Sequence, residues 1–177
     1  MPEIQIRPAV APDINSLIEI EHSSESDYVW QLDVRREPSQ IEASLREVRL
    51  PRTVPVIYPR SIEHLQDEWS KTNMLVALMA GEPAGYLRMT NRLVPGTVWV
   101  TDLVVGRVHR RKGIGTALVM AAHEWAQQME NHRAVIEMQS KNSAAVRLAQ
   151  KLGYEFCGYN DQYYVTRDVA LFFGRLL

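Results

Sequence analysis

The 177-residue sequence predicts a fold that contains both helices and strands, α/β in the broad sense and α+β in the strict sense. Its central sheet is mixed, begins as an antiparallel meander and has helices on both faces. An apolar run at residues 98–105 passes through a basic turn with two glycines into a long amphipathic helix. Before it, the segment MLVALMAGEPAGYLRMT contains two β-rich runs joined by a turn, which is typical of a hairpin. After it, residues 134–138 form a compact apolar run, to which the helix crosses back. Hairpins and a helical crossover together indicate antiparallel and parallel pairs in one sheet.

The N-terminal region predicts a short strand followed by a helix. Residues 3–7 alternate apolar and polar side chains, as a half-buried strand does. Pro12 and Asp13 then supply a helix start, and Ile14 and Leu17 follow at helical spacing. We expect this helix to end near residues 23–26.

Residues 27–70 have the least regular pattern in the chain. Within them, residues 38–58 fit a helix capped by Ser39 and Glu42, but they also fit alternating strands. Four prolines, at positions 38, 51, 55 and 59, disfavour one long helix. We therefore favour extended pieces joined by turns, followed by a short helix after Ser61.

From residue 74 onward the elements are clearer. The hairpin of residues 74–90 is expected to turn at Gly-Glu-Pro, and a second turn at Pro95 and Gly96 leads into the strand of residues 98–105. The long helix then presents one apolar face. Asn142 is placed to cap a further helix that Gly153 ends, and residues 154–159 and 163–173 predict a final strand pair.

The basic turn between strand and long helix has the composition of an anion site. Free backbone N–H groups and the positive end of a helix dipole favour a phosphate there. The spacing excludes a Walker loop, because one residue separates Gly113 from Gly115 and no Gly-Lys-Ser/Thr follows. It also excludes a dinucleotide fingerprint, whose third glycine would fall at Leu118. A site for ATP is disfavoured because no Mg²⁺-binding side chains are placed for it.

What remains is Arg-x-x-Gly-x-Gly after a buried strand, which resembles the core motif of the GCN5-related N-acetyltransferase (GNAT) family through Arg110, Gly113 and Gly115. A second motif of that family, Asn-x-x-Ala-x-x-x-Tyr-x-x-x-Gly-Phe, is similar to the stretch from Asn142 to Tyr154. The resemblance is specific from about residue 75 to residue 159. It implies the GNAT fold, an acyltransferase activity and acetyl-CoA as cosubstrate.

The resemblance also implies where acetyl-CoA binds. The pantetheine arm would lie beside the backbone of Leu103, Val104 and Val105, where that strand separates from the next. The pyrophosphate would accept from backbone N–H groups in the turn, and charged side chains would stand at its rim. The implied set for this second part comprises Arg110, Arg111, Lys112, Gly113, Ile114, Gly115 and Thr116, with Asn142 on the following helix.

The catalytic residues are less determined. The tyrosine that serves as general acid in many members of the family is Ala149 here, so Tyr154 is the candidate acid, with water or the nearby Tyr159, Tyr163 and Tyr164 as alternatives. Asp102 is the candidate base, because a charge on an otherwise apolar strand is costly without a partner. A structural hydrogen-bond acceptor is the equal alternative for Asp102, and Glu137 is a second candidate base.

The acceptor is expected to be a small amine. The tail DQYYVTRDVALFFGRLL and the acidic, aromatic segment of residues 25–37 resemble the streptothricin-acetyltransferase branch of the family. Acetylation of a protein N-terminus or lysine is the alternative. A CoA-binding module without turnover is a further alternative, which the alanine at position 149 favours.

Composition sets limits on partners and location. A net charge of -1 gives no argument for nucleic acid or membrane binding. The single cysteine, Cys157, cannot form an internal disulfide and is expected in the core, and the chain start lacks a signal peptide pattern. We therefore expect a cytoplasmic protein with one domain over residues 1–177 and no metal site, and a homodimer is left open.

Overall fold

The structure is a computed structural model that describes residues 3–177, so the first two residues of the expected domain lie outside the described part. Two short 3-10 turns lie at Trp69–Lys71 and at Arg107–His109. The strands and α-helices of the described part, in chain order, are β1 (Ile4–Pro8), α1 (Ala11–Glu19), β2 (Ser24–Glu37), β3 (Gln40–Val56), α2 (Glu63–Glu68), β4 (Asn73–Met79), β5 (Glu82–Val94), β6 (Thr97–Val105), α3 (Ile114–Gln128), β7 (Arg133–Gln139), α4 (Ser143–Lys151), β8 (Glu155–Asn160) and β9 (Ala170–Leu176).

Seven strands form a mixed sheet in the order β1-β4-β5-β6-β7-β9-β8. β4, β5 and β6 are the predicted antiparallel meander. β7 pairs parallel to β6, because α3 carries the chain back across the sheet between them. The predicted mixed sheet is therefore confirmed.

The sheet is buried on both faces, as β4 illustrates. Leu75 and Ala77 face the cluster that includes Ile114 and Leu118 of α3. Val76 faces the other cluster, beside Ile14 and Leu17 of α1 and Leu65 of α2. Successive side chains of a strand point to opposite faces, so a continuous apolar run is what a doubly covered strand requires. The prediction of helices on both faces is confirmed.

Residues 27–70 contain a long hairpin that stands apart from the main sheet. β2 and β3 pair only with each other and span 14 and 17 residues. The preference for extended structure is confirmed, but the prolines do not divide β3 into pieces, since Pro51 lies at a bulge and Pro55 pairs with Glu25. The hairpin is held to the body at α4, where Glu47 pairs with Arg147 at 2.8 Å. The predicted short helix is α2.

Three predicted boundaries are wrong. α1 ends at Glu19 rather than near residues 23–26. The β4–β5 turn is formed by Ala80 and Gly81, both with positive φ, so that Glu82 and Pro83 already belong to β5. The final strand begins at Ala170 rather than at residue 163, because Gln162 and Arg167 adopt left-handed φ values that break an extended chain. Residues 161–169 form a loop instead.

The environment of the cysteine also differs from the prediction. Cys157 lies on β8 and is exposed rather than packed in the core. Of the helices in residues 3–177, none is long and apolar enough to cross a membrane.

Candidate active site

β6 and β7 begin as neighbours and then separate. Their pairing runs from Thr97 opposite Arg133 to Val100 opposite Ile136 and stops there. β7 continues along β9, with Glu137 opposite Phe172, while β6 continues along β5. The edge of β6 that faces β7 therefore has no strand partner beyond residue 100, and the carbonyl of Thr101 accepts from Arg60 at 3.0 Å instead. This is the strand separation expected beside Leu103, Val104 and Val105.

The separation opens into a cavity between the two strands. Leu103 and Val104 line it from β6, and Glu137 lines it from β7. Asn142 and Ala149 line it from α4 and the residue before it. Side chains of three loops close the cavity: His22 before β2, Tyr58 and Arg60 after β3, and Tyr164 before β9.

The turn before α3 has the geometry of an anion site. The first helical hydrogen bond runs from the N–H of Ala117 to the carbonyl of Gly113 at 3.0 Å, so the N–H groups of Ile114, Gly115 and Thr116 lack partners within the helix. Gly113 has φ +88, and a Cβ there would meet nothing within 4 Å, which leaves open space above the turn. At Gly115 a Cβ would come within 3.2 Å of Leu148, where α3 packs closely on α4. The residues present fit a diphosphate.

Arg110 does not contribute charge to that turn. Its Nε donates to the carbonyl of Val105 at 2.8 Å, and its Nη2 donates to the carbonyls of Glu21 and Ser23 at 2.9 and 2.8 Å. The guanidinium therefore ties the loop between α1 and β2 to the end of β6. Its hydrogen bonds go to these carbonyls rather than to the phosphate rim where its charge was expected, whereas Arg111 and Lys112 are exposed beside the turn.

Asp102 lies at the inner end of the cavity with 4% of its surface exposed. Arg88 donates to its Oδ2 at 2.8 Å, and Arg60 lies 3.3 Å from its Oδ1. Tyr58 donates its hydroxyl to Oδ1 at 2.6 Å. Arg60 also donates to Glu137. Two guanidinium groups and two carboxylates thus form a neutral buried network across the strand separation.

This network favours the structural role for Asp102. Burial alone would raise the pKa of its carboxyl, but the charges of Arg60 and Arg88 and the hydrogen bond from Tyr58 lower the pKa below its usual value. A carboxylate with a lowered pKa and occupied oxygens is a poor proton acceptor. Glu137 is similarly occupied, since the Trp99 indole donates to its Oε2 at 2.8 Å.

Tyr154 does not reach the cavity. It is 3% exposed, and its hydroxyl lies 2.6 Å from Nε2 of His123 on α3. This places the hydroxyl between α3 and β8, away from the residues that line the cavity, so the structure gives Tyr154 no support as the candidate acid. Asn142 does what its position predicts for α4, because its Oδ1 accepts from the N–H of Ala145 at 3.2 Å.

Four residues that line the cavity have no clear signal in the sequence as site residues. They are His22, Tyr58, Arg60 and Tyr164. They belong to loops, where neither helical nor strand periodicity applies. Tyr58 and Arg60 flank a proline in a segment of mixed pattern, and the sequence suggested Tyr164 as part of a strand. They are joined to the site by contacts across the fold, as where Tyr58 donates its backbone N–H to Ser23 at 3.1 Å. Among residues 3–177, no group of three or more metal-binding side chains was found.

The sequence pattern of the acetyltransferase (GNAT) family matches residues 42–154. That range contains the strand separation, the anion turn and α4. The match therefore covers more than half of the chain.

Similar proteins extend over nearly the whole chain. Streptothricin acetyltransferase of Streptomyces lavendulae is 23% identical over 166 residues, which are 90% of this chain and 86% of that protein. Nourseothricin acetyltransferase superposes with a TM-score of 0.80 at 22% identity and covers 98% of both chains. A Bacillus anthracis str. Ames protein solved in complex with acetyl coenzyme A superposes with a TM-score of 0.77 at 19% identity, covering 99% of this chain and 100% of its own. These structures share the fold described above.

The structural role of Asp102 predicts the effect of Asp102→Asn. The substitution leaves two buried guanidinium groups against one carboxylate, and we expect the free energy of unfolding to fall by about 3 kcal/mol. Urea denaturation followed by circular dichroism measures this. Because the pKa of Asp102 is lowered in the fold, its contribution is present above about pH 4 and is lost as the pH falls further, so the variant should show a shallower acid decline.

The matched control for this experiment is Glu47→Gln. It removes a carboxylate from an exposed ion pair with Arg147, for which we expect a loss below about 1 kcal/mol. Equal small losses in both variants would contradict the structural role of Asp102.

Proposed function

The chain belongs to the acetyltransferase (GNAT) family and is an acetyl-CoA-dependent N-acetyltransferase with the GNAT fold, and we propose that it acetylates a primary amine of a small molecule. The observation that carries the proposal is the cavity at the β6–β7 separation, which joins a free strand edge to a polar chamber. An acetyl donor and an amine acceptor can meet only where both are within reach of one point.

We place the pantetheine arm along the free edge of β6. Leu103, Val104 and Val105 lie beyond the last residue pair with β7, and of their backbone groups the carbonyl of Val105 already accepts from Arg110. The diphosphate would sit on the turn before α3, within reach of Gly113 and the exposed Lys112. The two ends of this path are the end of β6 and the start of α3, joined by a 3-10 turn. The acetyl group would then lie in the cavity itself.

The shape and polarity of the cavity support a small acceptor. Loops before β2, after β3 and before β9 close it from three directions. Side chains that can hydrogen bond line it, among them Tyr58, Glu137 and Tyr164. The similarity to streptothricin acetyltransferase supports the same class of acceptor. Acetylation of a protein N-terminus or lysine would need a longer peptide to enter between these loops.

Tyr164 is the side chain that we place as proton donor to the leaving thiolate. It lines the cavity together with Ala149, the position where the usual tyrosine is missing. It is 6% exposed, and its ring centroid lies 5.5 Å from the guanidinium carbon of Arg60. Burial, and then the charge of Glu137, raise the pKa of Tyr164, so the phenol stays protonated at neutral pH. A protonated hydroxyl in that place can donate.

The first test is an amine panel with acetyl-CoA, in which free thiol release reports transfer. We expect turnover with streptothricin or a polyamine, because the closed cavity fits a small primary amine. Faster turnover of peptides with a free N-terminus would favour the protein-acetylating alternative. Binding of CoA with no thiol release from any amine would contradict the proposal and favour a CoA-binding module.

The second test addresses the anion turn through Gly113→Asp. Aspartate and asparagine both tolerate the left-handed φ of this residue better than most side chains, so Gly113→Asn is a neutral control of equal size. We expect the aspartate variant to bind acetyl-CoA about tenfold more weakly than the asparagine variant, through repulsion of the diphosphate. Calorimetry measures both affinities. Equal affinities of the two variants for acetyl-CoA would exclude this turn as the diphosphate site.

The third test compares Tyr164→Phe with Tyr163→Phe. Removal of the Tyr164 hydroxyl should lower kcat by about tenfold or more, because the thiolate loses its proton donor. The neighbouring Tyr163 hydroxyl lies 3.4 Å from Glu137 and should be dispensable for proton transfer. Steady-state kinetics at saturating acetyl-CoA separates the two. A kcat in Tyr164→Phe equal to that of Tyr163→Phe would exclude Tyr164 as the donor.

A further inference from the structure

His22 is a buried histidine in the wall of the cavity. It lies in the short loop between α1 and β2 and is 9% exposed. Its Nδ1 lies 2.7 Å from the carbonyl oxygen of Ile20. A carbonyl only accepts hydrogen bonds, so Nδ1 must carry the hydrogen. In the neutral ring, Nε2 is then the nitrogen with the free lone pair.

That lone pair has no protein partner. Nε2 of His22 is shielded from solvent and forms no hydrogen bond with any described residue. A buried acceptor left unpaired costs about 1–3 kcal/mol, so a donor from outside the protein is favoured at this place. His22 lines the cavity, so an N–H or O–H group that enters it can supply this donor.

The other proton acceptors of the cavity are already occupied. Asp102 accepts from Tyr58, Arg60 and Arg88. Glu137 accepts from Arg60 and Trp99. Of the ionisable side chains that line the described cavity, His22 is the one with a vacant basic atom.

Resting on the function proposed above, we propose that Nε2 of His22 is the general base that takes the proton from the ammonium group of the acceptor. The ammonium R–NH₃⁺ gives one proton to Nε2, and the imidazolium later releases it to water that enters the cavity. The amine nitrogen then attacks the thioester carbonyl carbon, a C–N bond forms, and the C–S bond breaks. The nitrogen loses a second proton, which ends on the CoA sulfur. The products are the amide and free CoA thiol.

The loop that contains His22 is held rigidly. Arg110 donates to the carbonyls of Glu21 and Ser23, the residues on either side of His22. The imidazole also packs against the ring of Tyr58, with centroids 5.0 Å apart, and against Tyr86 at 5.8 Å. A base must be held within hydrogen-bond reach of its proton, and these contacts fix the direction of the ring.

Burial keeps His22 neutral near pH 7. Burial lowers its pKa, while the bond to Ile20 and the charges of Asp102 on β6 and Glu21 in the same loop partly offset this. Arg110 lowers the pKa further. Tyr58 and Tyr86, which face the ring from the loop after β3 and from β5, have raised pKa values and are uncharged. The free lone pair is therefore present at neutral pH and is lost as the pH falls.

The test is His22→Asn. Its side-chain amide can still donate to Ile20, but its oxygen cannot take up a proton at neutral pH. With an amine on which the wild type is active, we expect kcat to fall about 10²-fold, with acetyl-CoA affinity unchanged. We also expect kcat/KM of the wild type to decline on the acid side, below the usual histidine pKa of about 6.5, and this limb to be absent in the variant. Free imidazole should restore part of the activity of His22→Ala.

Two results would overturn the role of His22 as general base and leave the proposed function intact. One is a wild-type kcat/KM that does not change with pH on the acid side, and this needs no variant to fold. The other is an active wild type together with a His22→Asn protein that retains both its rate and its acid limb. A wild type that binds acetyl-CoA but transfers to no amine would overturn the proposed function and this inference together.

Discussion

The separation of β6 from β7 is the feature on which the rest of the site depends. Two parallel strands that pair only as far as Val100 and Ile136 leave backbone groups in the middle of a sheet without a strand partner. Such groups are costly unless something pairs with them, and an extended pantetheine arm supplies amide and carbonyl groups for that purpose. The same separation opens the interior, so a cosubstrate can reach the centre of the molecule without unfolding it.

Opening the interior brings its own electrostatic problem. Asp102 and Glu137 end up on the two diverging strands, where unpaired carboxylates would be unstable. Arg60 bridges both of them, and Arg88 completes the neutral set. Because Arg60 comes from the loop after β3, the network also ties the distant hairpin segment to the sheet. Because the two carboxylates are paired with the guanidinium groups, we assign the two proposed proton transfers to groups that are uncharged at neutral pH. These are His22 for the acceptor ammonium and Tyr164 for the leaving thiolate.

The meander, the crossover helix and β7 could be predicted from residues 74–160, because the apolar runs there are clear and the glycines mark the turns, whereas the helix on the other face could be predicted from Pro12, Asp13 and the spacing that follows them. The anion turn could also be predicted, since it is a local arrangement of a strand, glycines and a helix start. The roles of Asp102, Arg110 and Tyr154 could not. Each depends on where a side chain points and on which distant loop meets it, as Arg110 shows by bonding to residues 21 and 23. His22, Arg60 and Tyr164 lie in loops whose positions are decided by tertiary contacts alone.

A crystal structure of the protein with acetyl-CoA would test the central claim most directly. We expect the pantetheine arm along Leu103, Val104 and Val105, the diphosphate on the N–H groups of residues 111–116, and the thioester in the cavity between β6 and β7. The acetyl carbonyl should lie on the same side of the sheet opening as His22 and Tyr164. Acetyl-CoA bound elsewhere, with β6 and β7 still separated and empty between, would contradict the account.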